Sequence, residues 1–291
     1  MSPLLAESPL WSDALGRWQS DALMRRARHA ADILTRFAAN GDFQLLGTEV
    51  PFGTPEGLPP LVLTLPEGDK VALQGIIDRL DVYRSPEGDY LRVIDLKSSE
   101  RTLQPARMDR GEQLQLMIYL QAAIQASPGA LPAGALYYPV QDKEVNASSP
   151  EQAEDKRVKN VQFSGVALAE ADVLRAMDRD RSPYSLPKAL GKDGNLLKSA
   201  SWALSETVLR RLMAAAVRKA ELLCAEIRSG SVGPAPSAEA DGSRSACTFC
   251  DFAGICSRTK SDERPLRKDM TFADVGLTMI PGASGDSSAD S

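Results

Sequence analysis

The run from 75 to 100, GIIDRLDVYRSPEGDYLRVIDLKSSE, holds residue types whose spacing could do chemistry. Successive side chains in a strand alternate faces, so Asp95 and Lys97 in Ile-Asp-Leu-Lys point the same way. Asp78 lies in the partner strand across the turn at 86–89, so two carboxylates and a lysine can converge at one point. Such a trio suits phosphodiester hydrolysis. Aspartates are hard oxygen ligands for Mg²⁺, and the metal polarises a phosphoryl oxygen and lowers the pKa of bound water. A lysine can position that water or stabilise developing negative charge. The bland alternative is a solvated strand face, the usual setting of Asp-x-Lys. Against it, Asp95 follows Val93 and Ile94 in an apolar run, where an unpaired carboxylate is costly.

A second group of reactive side chains lies near the other end. Of 4 cysteines none precedes Cys224, which excludes a disulfide framework for the first two-thirds of the chain. Cys247, Cys250 and Cys256 form a C-x2-C-x5-C cluster, and thiolates at that spacing could bind iron–sulfur or zinc. Cys224, inside a helical pattern, reads as a buried small apolar side chain, with a fourth cluster ligand as the alternative. The single histidine, His29, lies in a helical run and reads as structural, so mechanisms needing several imidazoles are excluded.

Positioning these groups requires alternating strands and helices. A long helix is predicted over 12–39, with Leu15, Trp18, Leu23, Ile33, Leu34 and Phe37 recurring at helical spacing. Short β runs follow at 43–52, 61–65, 71–83 and 90–97, separated by the turn signal Pro-Glu-Gly-Asp at 66–69 and again at 86–89. A helix is predicted over 111–126, a buried strand over 133–140, a polar surface excursion over 141–160 and a strand over 161–168. Further helices are predicted over 169–179 and 205–229, the latter capped by Ser205. The expected organisation is an N-terminal helix (1–41), a main domain (42–229), a linker with the cysteine cluster (230–258) and a disordered tail (259–291).

Composition bounds the function. The 291 residues carry 34 Lys+Arg against 39 Asp+Glu, a formal charge of -5, which excludes a generally basic nucleic-acid coat but allows a local basic groove. Arg101, Arg107 and Arg110 follow the Asp-x-Lys motif and could meet phosphates, whereas Arg210, Arg211, Arg218 and Lys219 read as a solvated face, with a DNA face as the alternative. No apolar run approaches the roughly 20 residues of a membrane span, and no secretory signal is readable, so the cytoplasm is expected. No GxxxxGK[ST] phosphate loop occurs.

Three short motifs in order carry a resemblance: Gly75-Ile-Ile-Asp78-Arg79, then Asp95-Leu-Lys97, then Gln115-x3-Tyr119, whose last two residues share a helix face. Together they resemble the nuclease core of the RecB-like branch of the PD-(D/E)xK superfamily. Glu49 resembles an acidic residue that some members place near the site, or is a solvent-facing strand carboxylate. With Glu49-Val-Pro-Phe-Gly, Tyr137-Tyr-Pro and the cysteine cluster added, residues 15–258 resemble the C-terminal portion of the AddB family, second subunits of bacterial AddAB helicase–nucleases.

The resemblance implies an α/β restriction-endonuclease-like core, a central mixed sheet flanked by helices, with a C-terminal cysteine staple. It implies Asp78, Asp95 and the Leu96 carbonyl as Mg²⁺ ligands, Lys97 as the catalytic lysine, and Gln115 and Tyr119 organising the site or the DNA. It implies DNA as substrate, an AddA-type helicase–nuclease partner, and a [4Fe-4S] cluster on one upstream cysteine plus Cys247, Cys250 and Cys256. Here no cysteine precedes the nuclease strands and the helicase-like region is missing, so a C-terminal fragment with an incomplete cluster is expected. Two functions follow as expectations: an Mg²⁺-dependent DNA exonuclease domain for double-strand-break repair and recombination, or a cysteine-stapled DNA-binding module with little activity.

Overall fold

A computed structural model describes residues 13–277 other than 142–144, 160, 181, 183 and 184. In chain order its main elements are α1 (Ala14–Ala39), β1 (Gln44–Phe52), β2 (Leu61–Thr64), β3 (Lys70–Leu73), β4 (Gly75–Ser85), β5 (Gly88–Lys97), α2 (Pro105–Arg110) and α3 (Gln115–Ala126). There follow β6 (Leu131–Pro139), α4 (Pro150–Lys159), β7 (Ser164–Leu168), α5 (Ala171–Met177), β8 (Ala203–Leu204), α6 (Glu206–Arg228), β9 (Ser237–Ala238) and β10 (Arg264–Pro265). Six strands form one mixed sheet in the order β1-β4-β5-β6-β7-β8, with β5–β6 and β7–β8 parallel and the other pairs antiparallel. Joining parallel neighbours requires a crossover, and α3 supplies it between β5 and β6.

The sheet is covered on both faces. Leu116 and Leu120 of α3 and Leu209 and Leu212 of α6 pack with Val93 and Tyr137 on one side. Ala30, Ile33 and Phe37 of α1, spaced three and four apart, pack with Ile94, Leu136 and Tyr138 on the other. This is the mixed sheet with flanking helices that the sequence predicts. Only the second half of α1 has that role, however: Leu15, Trp18 and Leu23 stand exposed.

Several boundaries differ from expectation, each for a local reason. The predicted run 71–83 breaks at Gln74 into β3 and β4, so the β2–β3 hairpin forms a separate two-stranded sheet. The predicted helix 111–126 starts only at Gln115, because Gly111, at φ 92°, ends α2 in a left-handed cap. The excursion at 141–160 contains α4, whose Val158 is buried beneath α1. The expected tail is packed where described: Leu266 and Val275 are buried, Phe272 packs on the core and Arg211 donates to the Ala273 carbonyl. Residues 278–291 lie outside the described residues.

A buried ion pair joins β4 to β5. Asp81 and Arg92 are opposite each other in register, and Arg92 Nη2 donates to Asp81 Oδ2 at 2.6 Å. Arg79 Nε donates to Asp81 Oδ1 at 2.8 Å. The Arg92 guanidinium lies over the rings of Phe43 and Phe37, 4.2 and 4.7 Å from their centroids. Burial lowers the Arg92 pKa, and Asp81 opposes that shift.

Candidate active site

The β4–β5 hairpin is held in register from Ser85–Gly88 to Arg79–Ile94, so Asp78 and Asp95 face one another one step beyond the last registered pair. There the side chain replaces the ladder: the Leu96 N–H donates to Asp78 Oδ2 at 2.7 Å. Asp95 is 1% exposed and Lys97, two residues on, is 22% exposed. Lys97 Nζ stands 2.6 Å from Asp95 Oδ2 as an ion pair but aims a hydrogen bond at Gln115 Oε1, 2.9 Å away. The Lys97 ammonium is thus the partner of the buried Asp95 Oδ2. Burial pushes the Asp95 carboxyl above the ordinary carboxylate range; Lys97 opposes the shift and Asp78 reinforces it.

Helix α3 completes this corner from its first turn. Gln115 Nε2 donates to Tyr119 OH at 2.8 Å, and the Tyr119 ring meets Phe52 edge-on at 5.8 Å. A Cβ at Gly75 would fall 2.7 Å from Phe52 Cε1, so a glycine there leaves that ring its place. Asp78, Asp95, Lys97, Gln115 and Tyr119, read from three separate motifs, thus form a single connected group with Leu96.

Other sequence candidates fare differently. Glu49 lies between the Thr48–Arg79 and Val50–Ile77 pairs, across from Asp78, but it is exposed and its backbone is left-handed at φ 49°. Arg107 pairs with Glu112 and Glu239, and Arg110 donates to the Pro265 carbonyl, so both tie α2 to other parts of the chain. On α6, Arg210 and Arg218 pair with Glu206 and Glu221.

A family model described as the PD-(D/E)XK nuclease superfamily matches residues 3–257. The chain belongs to the PD-(D/E)XK nuclease superfamily. Among curated proteins it is similar to one of the subunits of the ATP-dependent helicase/deoxyribonuclease of Moorella thermoacetica, 36% identical over 267 residues. It is also similar to the same-named protein from Symbiobacterium thermophilum, 34% identical over 266 residues. The matches cover 88% of this chain but only 23% and 22% of those two relatives.

The two cofactors implied for such a chain meet different fits. Mg²⁺ is commonly held by one or two carboxylates with waters and substrate phosphates, and a pair such as Asp78 and Asp95 suits it. The buried Asp95 carboxylate, facing Asp78 across the hairpin, is a hard oxygen donor that such an ion would use. No third His, Cys, Asp or Glu completes a metal-holding group among the described residues. The [4Fe-4S] expectation finds no support among the described residues: Cys247 is half-buried, Cys250 and Cys256 are exposed, and these thiols form no metal-holding group there. Cys224 instead packs against the core beneath α6.

Two residues that shape this corner were given no site role from sequence. Tyr137 pairs with Asp95 in the β5–β6 register, and Lys97 Nζ lies 5.9 Å from its ring centroid. Its phenol is pushed up to about 12, by burial first and then by Asp95, with Arg101 opposing. Gln113 accepts from the Gln104 N–H at 2.7 Å and donates to the Thr102 carbonyl at 3.1 Å, pinning the loop after β5. The Tyr137-Tyr-Pro run was a usable signal for the first; Gln113 had none.

Proposed function

We propose that this chain is an Mg²⁺-dependent deoxyribonuclease domain cutting phosphodiester bonds at the corner of β4, β5 and α3. The observation that carries the reading is the buried Asp95 carboxylate, facing Asp78 across the β4–β5 hairpin with Lys97 Nζ 2.6 Å from its Oδ2. Asp78, Asp95 and the Leu96 carbonyl would hold the ion, which when bound polarises a phosphoryl oxygen and supplies an acidified water. Lys97 orients the attacking water and offsets charge developing on the phosphoryl oxygens. Gln115, hydrogen-bonded to Lys97 and to Tyr119, fixes where that ammonium stands.

The name those relatives carry supports a wider reading: a DNA exonuclease within an ATP-dependent helicase–nuclease of the AddAB type, paired with an AddA-type partner and serving cytoplasmic double-strand-break repair and recombination. ATP use would then belong to the larger assembly. The [4Fe-4S] staple has no part in this proposal, since its three thiols are not gathered. The test is degradation of labelled linear DNA by the chain in Mg²⁺ and in EDTA. Cleavage that needs Mg²⁺ and disappears in Asp95→Ala is expected; cleavage undiminished in that variant overturns the assignment.

A further inference from the structure

The long stem of a lysine lets its ammonium swing, so where Lys97 stands depends on what surrounds its Nζ. Three groups do so: Asp95 Oδ2 at 2.6 Å, Gln115 Oε1 at 2.9 Å, and the ring of Tyr137. The ammonium lies over that ring, 5.9 Å from its centroid. An aromatic face attracts a cation through its quadrupole out to about 6 Å.

The sheet fixes this ring in advance. Tyr137 lies on the interior strand β6, opposite Asp95 on β5 and Ser164 on β7, and is 1% exposed. Its neighbour Tyr138 turns to the other face, where its ring packs 5.0 Å from that of Phe163 beneath α1. Packing alone accounts for Tyr138. Tyr137 joins the core on the α3 side and in addition presents its ring to Lys97, while Arg101 acts on its phenol end. The two ends of the side chain thus serve different cations.

Asp95 has a second claim on it. The carboxylate that pairs with the ammonium is also the proposed Mg²⁺ ligand, and one carboxylate shared between two cations holds each less firmly. Gln115 offers a single neutral oxygen. The Tyr137 ring supplies an attraction for which no metal competes. Resting on the nuclease reading, we propose that Tyr137 is a positioning residue, its ring face keeping the Lys97 ammonium in place at the reacting phosphate. It acts through Lys97 and touches neither ion nor DNA.

The test has two arms, both on the whole chain. The first follows cleavage of labelled linear DNA in Mg²⁺ by Tyr137→Phe and by chains with one, three or five fluorines on that phenylalanine. Fluorine keeps the shape of the ring while draining negative charge from its face. Tyr137→Phe should retain most of kcat, and kcat should fall stepwise along the series to about ten-fold with KM unchanged. In a Lys97→Ala background the series should be flat. The second arm, without DNA and in Mg²⁺, reads the NMR order parameter of Lys97 Cε. It should hold in Tyr137→Phe and fall in the five-fluorine chain. The chains with fewer fluorines decide where the last fails to fold. A flat series, an equal fall in the Lys97→Ala background, or an unchanged order parameter overturns the positioning role. A fallen order parameter in a chain without Asp95-dependent cleavage upholds the ring's hold on Lys97 and sinks the nuclease reading. Asp95-dependent cleavage with a flat series and an unchanged order parameter does the reverse.

Discussion

Lys97 Nζ is held between Asp95 Oδ2, 2.6 Å away on its own strand, and Gln115 Oε1, 2.9 Å away on α3. That bridge fixes the ammonium relative to both the carboxylates and the helix before any substrate arrives, which is where a preorganised charge is most effective. The Lys97 charge offsets the burial of Asp95 only in part, since burial outweighs it and leaves the carboxyl pKa raised.

Asp95→Asn should therefore separate stability from activity. The folded-state pKa of Asp95 is raised chiefly by burial, so the fold prefers the protonated carboxyl. As pH rises through the window between the ordinary carboxylate value and the raised one, folding stability falls; on acidification the cost is relieved. Asn carries no such cost. Its metal-free melting temperature in EDTA should exceed wild type near neutrality, with the gain vanishing below about pH 4. Mg²⁺ should raise the melting temperature of wild type but not of Asp95→Asn. A variant less stable than wild type throughout, with the metal response kept, would contradict both roles.

Lys97→Ala should cost rate more than metal affinity. Losing a positioned charge at the reacting phosphate typically costs about 10²–10³ in kcat. The Mg²⁺ concentration at half-maximal cleavage should stay unchanged or fall, because Asp95 loses a competing cation. An Mg²⁺ requirement raised many-fold at full residual rate would place Lys97 in metal binding instead.

The grouping of the candidate site residues was legible from short motifs, whereas much of the packing around them was not. Asp78, Asp95, Lys97, Gln115 and Tyr119 sit on elements whose period and turn signals are local, so short motifs suffice to align them. The hairpin turn at 86–89 sets the Asp78–Asp95 register within a single supersecondary unit. What escaped depends on contacts far apart in sequence. Phe37 and Phe43 enclose Arg92 against Asp81, and nothing local distinguishes that arginine from a solvated strand residue. Leu15 and Trp18 show the converse: helical spacing marks an apolar stripe, but the described fold leaves them uncovered. Arg107 and Arg110 looked like phosphate ligands only because Glu239 and Pro265 lie more than a hundred residues away in sequence.

Asp81→Ala should be among the most destabilising single changes in the sheet. It would strand the buried Arg92 guanidinium, and removing one partner of a buried ion pair costs about 3–5 kcal/mol. Chemical denaturation should show that loss. Replacing Asp81 and Arg92 together by apolar residues of similar volume should recover most of it. A loss below about 1 kcal/mol for Asp81→Ala would mean water reaches Arg92 in the folded chain.

The cysteines lend no support, among the described residues, to the cluster that the resemblance implies. Cys247, Cys250 and Cys256 follow the β9 segment on a run of turns, where Cys250 and Cys256 are exposed alongside Phe249, Phe252 and Ile255. Cys224 lies on α6 and packs into the main core. A four-iron cluster needs four ligands around one centre, and three local thiols leave one iron without a protein cysteine. The chain purified anaerobically with iron and sulfide should carry less than one cluster per molecule, and Cys224→Ser should not lower that content. The triple serine variant at 247, 250 and 256 should keep the wild-type melting temperature, because no ligand cage contributes to folding there. A full cluster that Cys224→Ser destroys would require α6 to bring Cys224 beside Cys247, an arrangement different from the one described.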